Sequence, residues 1–162
     1  MRPTLSTGHS CAGATKLRTI RRTEGSNCES AATFWVKAVH CAGAYAWRQA
    51  LDAGAPLAFG SDFPVEEIDP REGLRAAITR RPAGGPAWMP EQRLRRDEAL
   101  HAYTAGAAWA EFAETRRGCI REGFDADLTV FSRDVMAVHV DEIRSVPVAA
   151  TVVRGRVVYA GG

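Results

Sequence analysis

Leu57-Ala58-Phe59-Gly60-Ser61-Asp62-Phe63-Pro64-Val65 decides the fold. Its first three residues follow Pro56 as a short apolar run, which predicts a buried strand that Gly60, Ser61 and Pro64 bring to a stop. A carboxylate, Asp62, then stands directly after the strand. Just upstream, Ala44, Trp47 and Leu51 recur at helical spacing and Gly54 follows as a left-handed cap, so one amphipathic helix ends at Ala53. Helix, tight turn and short apolar strand in that order are the rhythm of an α/β barrel or sheet.

Downstream, a second helix is signalled by Asp69 at the N-cap, Pro70 at the first helical position and Glu72 three residues after the cap. Leu74, Ala77 and Ile78 give it an apolar face, and Pro82 ends it. Residues 82–90 form a Gly/Pro-rich loop carrying Trp88. A third helical stretch starts near Asp97 and Glu98, runs through Leu100, Tyr103, Ala107 and Phe112, and has a break point at Gly106. After Gly118 the residue choice turns to β: Leu128-Thr129-Val130-Phe131, then Thr151-Val152-Val153 and Val157-Val158-Tyr159 as a hairpin about Arg154-Gly155-Arg156.

The composition, 46% hydrophobic and 25% charged over 162 residues, is that of a globular chain with a packed core. Its apolar runs are far shorter than the roughly 20 residues of a membrane span. The basic residues Arg2, Lys16 and Arg18 enclose no apolar stretch of signal-peptide length, so a cytoplasmic location is expected. The net charge of +2 is too small to require a nucleic acid or membrane partner, but it is unevenly spread. Residues 1–41 hold six basic side chains against two acidic ones, both lysines and three of the four cysteines. Residues 1–30 show no hydrophobic period, so a seam is expected near residue 42, with little order before it.

Asp62 has two readings from its own segment. Barrel enzymes gather catalytic groups at the C-terminal ends of strands, but an aspartate before Pro64 also suits a simple Asx turn. His101 and His139 are lone histidines of the kind that sit at surfaces. Asp125 and Asp127 suit a turn whose backbone their side chains bond. Arg93, Arg95 and Arg96 read as a solvated helix entrance, and Trp88 and Trp109 as anchors of core or loop. His9, Cys11, Cys28, His40 and Cys41 are of zinc-binding type, but no two share the close knuckle spacing of structural zinc sites, and unpaired thiols are the simpler reading.

Four ordered stretches resemble one family. Ala44-Tyr45-Ala46-Trp47-Arg48 followed by Leu57 to Val65 is similar to the seventh helix and eighth strand of the amidohydrolase superfamily, in the branch called amidohydrolase family 3, which includes N-substituted formamide deformylase. Glu98-Ala99-Leu100 with Tyr103-Thr104 and Ala107-Ala108 resembles the helical block after its barrel. Gly118 to Gly123 leading into Ala126-Asp127-Leu128-Thr129-Val130 resembles its return strand, and Thr151 to Tyr159 its closing hairpin. The resemblance covers about 120 of the 162 residues.

What the resemblance implies is an α/β fold: the C-terminal fragment of a metal-dependent hydrolase (β/α)8 barrel plus part of its composite β-sandwich. Residues 1–41 would be unmatched, 42–115 the last barrel strand with its flanking helices, and 116–162 sandwich strands. The activity implied is hydrolysis of non-peptide C–N bonds of small-molecule amides or formamides with a divalent metal, commonly zinc. Asp62 is implied to be both metal ligand and catalytic base. Metal binding lowers the pKa of water from about 15.7 towards about 7, and a nearby carboxylate can take the proton. The family's other ligands, a His-x-His after strand one and residues after strands four to six, have no counterpart here, and a whole barrel takes roughly 250 residues. The chain is therefore expected to be inactive alone. The rival reading is a non-catalytic interaction module, packing on a missing barrel portion or on itself through the apolar surface left bare. A basic nucleic-acid arm at residues 1–41 is a distant third reading, because its six basic side chains carry no known motif.

Overall fold

The computed structural model describes residues 44–82 and 85–161. The seam near residue 42 and the cysteine and histidine set of residues 9–41 lie outside them. The elements run α1 (Trp47–Asp52), α2 (Pro70–Thr79), a 3-10 turn (Pro90–Gln92), α3 (Arg96–His101), a π turn (Ala102–Gly106) and α4 (Ala107–Ala110). Then come β1 (Leu128–Phe131), a second 3-10 turn (Val140–Ser145), β2 (Val148–Val153) and β3 (Arg156–Ala160). Helices therefore precede an antiparallel sheet of order β1-β2-β3.

α1 begins at Trp47, later than the apolar spacing implies, because Tyr45 takes a left-handed φ of 54° that a helix cannot contain. It ends as expected. Gly54, at φ 80°, turns the chain, and the Ala55 N–H closes back on the Ala50 carbonyl at 2.9 Å.

α2 starts where the cap signals place it, with Asp69 Oδ1 accepting from the Arg71 N–H at 3.0 Å and Pro70 in the first turn. Glu72 does not reach back to the cap. Its carboxylate takes the Arg75 Nε–H instead, at 2.7 Å. The helix also stops before Pro82, at Arg80, which occupies the left-handed cap position (φ 55°) and closes its N–H onto the Ala76 carbonyl at 2.7 Å.

Residues 56–59 differ most from expectation. They run extended, but no strand pairs with them among the described residues; their one ladder-like bond is from the Phe59 N–H to the Ala102 carbonyl at 3.0 Å. A strand is a pairing as well as a local conformation, and the apolar run supplies only the conformation. Leu57 and Phe59 are half-buried against the helices and Ala58 is exposed.

Leu74, Ala77, Leu94, Ala99 and Ile143 form the core, with Trp47, Leu51, Phe59 and Tyr103 packed around it. Ile143 comes from the second 3-10 turn, and with Val146 just beyond it is fully buried. Burying a side chain of that size is worth about 1.5–3 kcal/mol. The turn, more than the strands, ties the sheet to the helices. Leu128 faces Val152 and Thr129 faces Thr151 across the first pair, and Thr151 faces Tyr159 across the second. No β3 residue is buried.

Candidate functional site

Asp62 follows a segment held at Leu57 and at Phe59 and stands in a turn of its own. At Leu57 the chain passes so close to Gly106 that a Cβ there would stand 2.1 Å from the Leu57 carbonyl oxygen. At Phe59 the backbone is bonded to Ala102, and the ring lies between Trp47 (centroids 5.0 Å apart) and Tyr103 (5.5 Å). Beyond Gly60 the chain turns sharply: Asp62 is left-handed (φ 52°), and its carbonyl accepts from the Val65 N–H at 2.9 Å across a cis Phe63–Pro64 bond. Aspartate tolerates that conformation better than most residues. The carboxylate is exposed and makes no hydrogen bond or ion pair among the described residues. The Asp62 backbone closes the turn, so the side chain is not spent on an Asx bond.

Tyr103 approaches the same region from the other side. Its hydroxyl sits on α2 at Gly73, where a Cβ would come within 1.7 Å of the oxygen. Burial first, and the nearby Glu66 carboxylate second, push the phenol above its ordinary range. It therefore stays protonated at neutral pH.

The remaining candidates have structural partners. Asp127 Oδ1 accepts from the Arg154 N–H at 2.8 Å, the backbone bond expected of a turn aspartate. Asp125 differs from that expectation, since its carboxylate pairs with Arg116 at 3.2 Å and Arg117 at 3.7 Å. His139 Nδ1 accepts from the Asp141 N–H at 3.4 Å at the start of the second 3-10 turn, and His101 is exposed in the last turn of α3. Of the three arginines read as a solvated entrance, Arg93 and Arg95 are exposed, Arg95 pairing at the surface with Asp97 and Glu98, and Arg96 is half-buried. Arg96 donates to the Val135 and Val138 carbonyls at 2.8 and 2.6 Å, and Arg93 to the Thr79 carbonyl at 3.1 Å; both tie segments together.

Trp88 belongs to a group that motif reading passed over. The Arg80 guanidinium lies 4.3 Å above the Trp47 ring, 4.7 Å from that of Trp88 and 5.9 Å from that of Tyr45. Arg80 is only 7% exposed, and burial pulls its guanidinium below the ordinary arginine range. Tyr45 and Trp47 read as part of a helical motif and Trp88 as an anchor, and nothing in the sequence links the three to Arg80.

Among the described residues no three His, Cys, Asp or Glu side chains come together as a metal-binding group. A catalytic zinc takes about three protein ligands. Asp62 fits as one donor of a larger set, and the described residues do not hold a metal by themselves. An open concavity of about 450 Å³ lies elsewhere, between Arg71 and the Thr151 and Tyr159 side of the sheet. No helix among the described residues is long and apolar enough to cross a membrane.

Comparison with known proteins gives the family. The chain belongs to the amidohydrolase family, whose model matches residues 20–159. The match takes in residues 20–41, where the residues show no recognisable motif. A Bacillus subtilis (strain 168) protein named as an amidohydrolase, YtcJ, is 36% identical over 119 residues, covering 72% of this chain and 22% of its own length. Protein LONG AFTER FAR-RED 3 of Arabidopsis thaliana is 34% identical over 116 residues, covering 71% and 20%. N-substituted formamide deformylase of Arthrobacter pascens is 33% identical over 112 residues, covering 69% and 21%. The chain thus spans about a fifth of the length of these curated relatives. No solved structure matches. The family is generally metal-dependent and acts on small-molecule amides.

Proposed function

We propose that this chain is part of a metal-dependent amidohydrolase of the (β/α)8 type, hydrolysing a non-peptide C–N bond of a small amide or formamide, and that Asp62 is its catalytic carboxylate and one of its metal ligands. The observation that carries the reading is the exposed, unpaired Asp62 carboxylate at the end of an extended segment, inside a family match running over residues 20–159. A divalent metal, zinc being the expected one, would supply an activated water. Asp62 would hold it through a carboxylate oxygen, together with ligands from outside the described residues. The side chain's own task is to take a proton from the attacking water and return it to the leaving nitrogen. The similarity to N-substituted formamide deformylase supports a formamide as the first substrate to try.

The test joins residues 42–162 to the upstream portion of a close relative, so that the ligand set is complete. Asp62→Asn keeps the volume but removes the charge and the basicity. The expected loss of kcat is at least about 10²–10⁴, the usual worth of a general base, together with loss of bound metal. Asp127→Asn, which removes the charge but leaves Oδ1 to accept from the Arg154 N–H, should leave kcat near normal. If Asp62→Asn kept both activity and metal while Asp127→Asn lost them, the assignment would be wrong.

A further inference from the structure

Arg80 combines two unfavourable features. It stands in the left-handed region (φ 55°), where glycine is the usual helix-ending residue, and its guanidinium is nine-tenths buried with Nη2 lacking a hydrogen-bond partner among the described residues. Its Nε donates to the Trp88 carbonyl at 3.3 Å, and no carboxylate pairs with it among them. A glycine there would relieve the backbone and a leucine would relieve the buried charge. What only an arginine provides is a flat cation for ring faces to stack upon.

We infer that Arg80 is a positioning residue for the Asp62 turn. The guanidinium, held against Trp88 on one side, lies 4.3 Å over Trp47. Trp47 lies 5.0 Å from Phe59, and Phe59 is the last half-buried side chain before the chain leaves Gly60 for the turn. Two contacts, the guanidinium over Trp47 and the Trp47 ring tilted at 54° against Phe59, thus run from the end of α2, through the start of α1, to the segment that carries the carboxylate. Phe59 has one backbone bond, to Ala102, to hold its height, and Trp47 meets its ring to set the direction. Removing the cation lets the Trp47 ring settle into the vacated space, and Phe59 follows it. The functional meaning rests on Asp62 as proposed above, but the mechanical link does not.

The test is made on the full chain by amide NMR and hydrogen exchange, with Arg80→Met. The Asp62 and Val65 amide signals are expected to shift, and the Phe59 amide to exchange about tenfold faster, the order expected from loss of a desolvated cation–ring contact. Exchange at the Ser132 amide, which bonds the Pro147 carbonyl at 2.9 Å at the far end of the sheet, should stay the same. A residue that merely stabilised the fold would speed both amides alike, and that result, or unmoved Asp62 and Val65 signals, would overturn the inference. Should Arg80→Met fail to fold, Phe59→Leu cuts the middle link with the cation in place. Asp62 and Val65 must then shift while the Arg80 Nε signal does not, and the reverse pattern counts against the link. No metal enters these readouts, so failure of Asp62 as a ligand would leave them unchanged.

Discussion

Gly106 shows how much one missing Cβ decides. The atom a larger residue would strike, 2.1 Å away, is the Leu57 carbonyl oxygen, which as backbone cannot rotate aside. Gly106→Ala must therefore push residues 57–59 off the helical layer, at a cost of about 1–3 kcal/mol, the range for overpacking. Urea denaturation should show that loss. Gly60→Ala, where a Cβ would meet nothing within 4 Å, should stay within about 0.5 kcal/mol of the parent. The break point read at Gly106 is the same feature seen from the sequence: the helix there loosens into the π turn Ala102–Gly106. Sequence alone offers no view of the close approach, because Leu57 lies on a separate segment.

Among the elements, α1 and α3 are joined by charge. Arg48 on α1 grips both oxygens of Glu98 on α3, while Glu98 also accepts from the Arg95 N–H at 2.7 Å. The arginine first, and the backbone bond after it, hold the Glu98 carboxyl below its ordinary range. A depressed carboxyl contributes stability that is complete above its unfolded pKa and is lost as pH falls through the folded one. Between pH 6 and pH 3 the parent should therefore lose more stability than Glu98→Gln, which is weaker at pH 6 and has no such charge to lose. Thermal melts across that window check it, and parallel curves for the two proteins would show that the pair contributes nothing. This joint was not legible in advance, because 50 residues separate its two partners. α2 was legible for the opposite reason: Asp69 and Pro70 act on the backbone beside them. The β3 hairpin was equally local, but the pairing that would make residues 57–59 a strand is not. Asp62 is singled out through its motif, whereas its left-handed φ was not legible in the segment.

At the scale of the whole molecule, no three His, Cys, Asp or Glu side chains among the described residues come together to hold a metal. The purified chain, supplied with zinc, is accordingly expected to give no turnover of an N-substituted formamide, a result a product assay on scrupulously purified material can check. Zinc-stimulated turnover lost in Asp62→Asn would mean that a complete site forms within this chain or between its copies. Two helical segments and an aromatic stack support residues 57–59 from below, while the sheet hangs from the core by Ile143 and Val146.

The turn at Arg154 and Gly155 has a consequence in time. Both residues have positive φ, 50° and 73°, which gives a two-residue connection whose twist matches the strands it joins. Hairpins so connected close within roughly 1–10 μs, well before a strand that must return over a long connection can find its place. β1 is such a strand, separated from β2 by residues 132–147 and their 3-10 turn. Assembly of the sheet therefore begins at its outer, solvent-facing pair and ends with the strand nearest the helices in the chain. Arg154 and Gly155 act as a clock as well as a corner: a substitution that slowed their closure would delay every later step of the sheet.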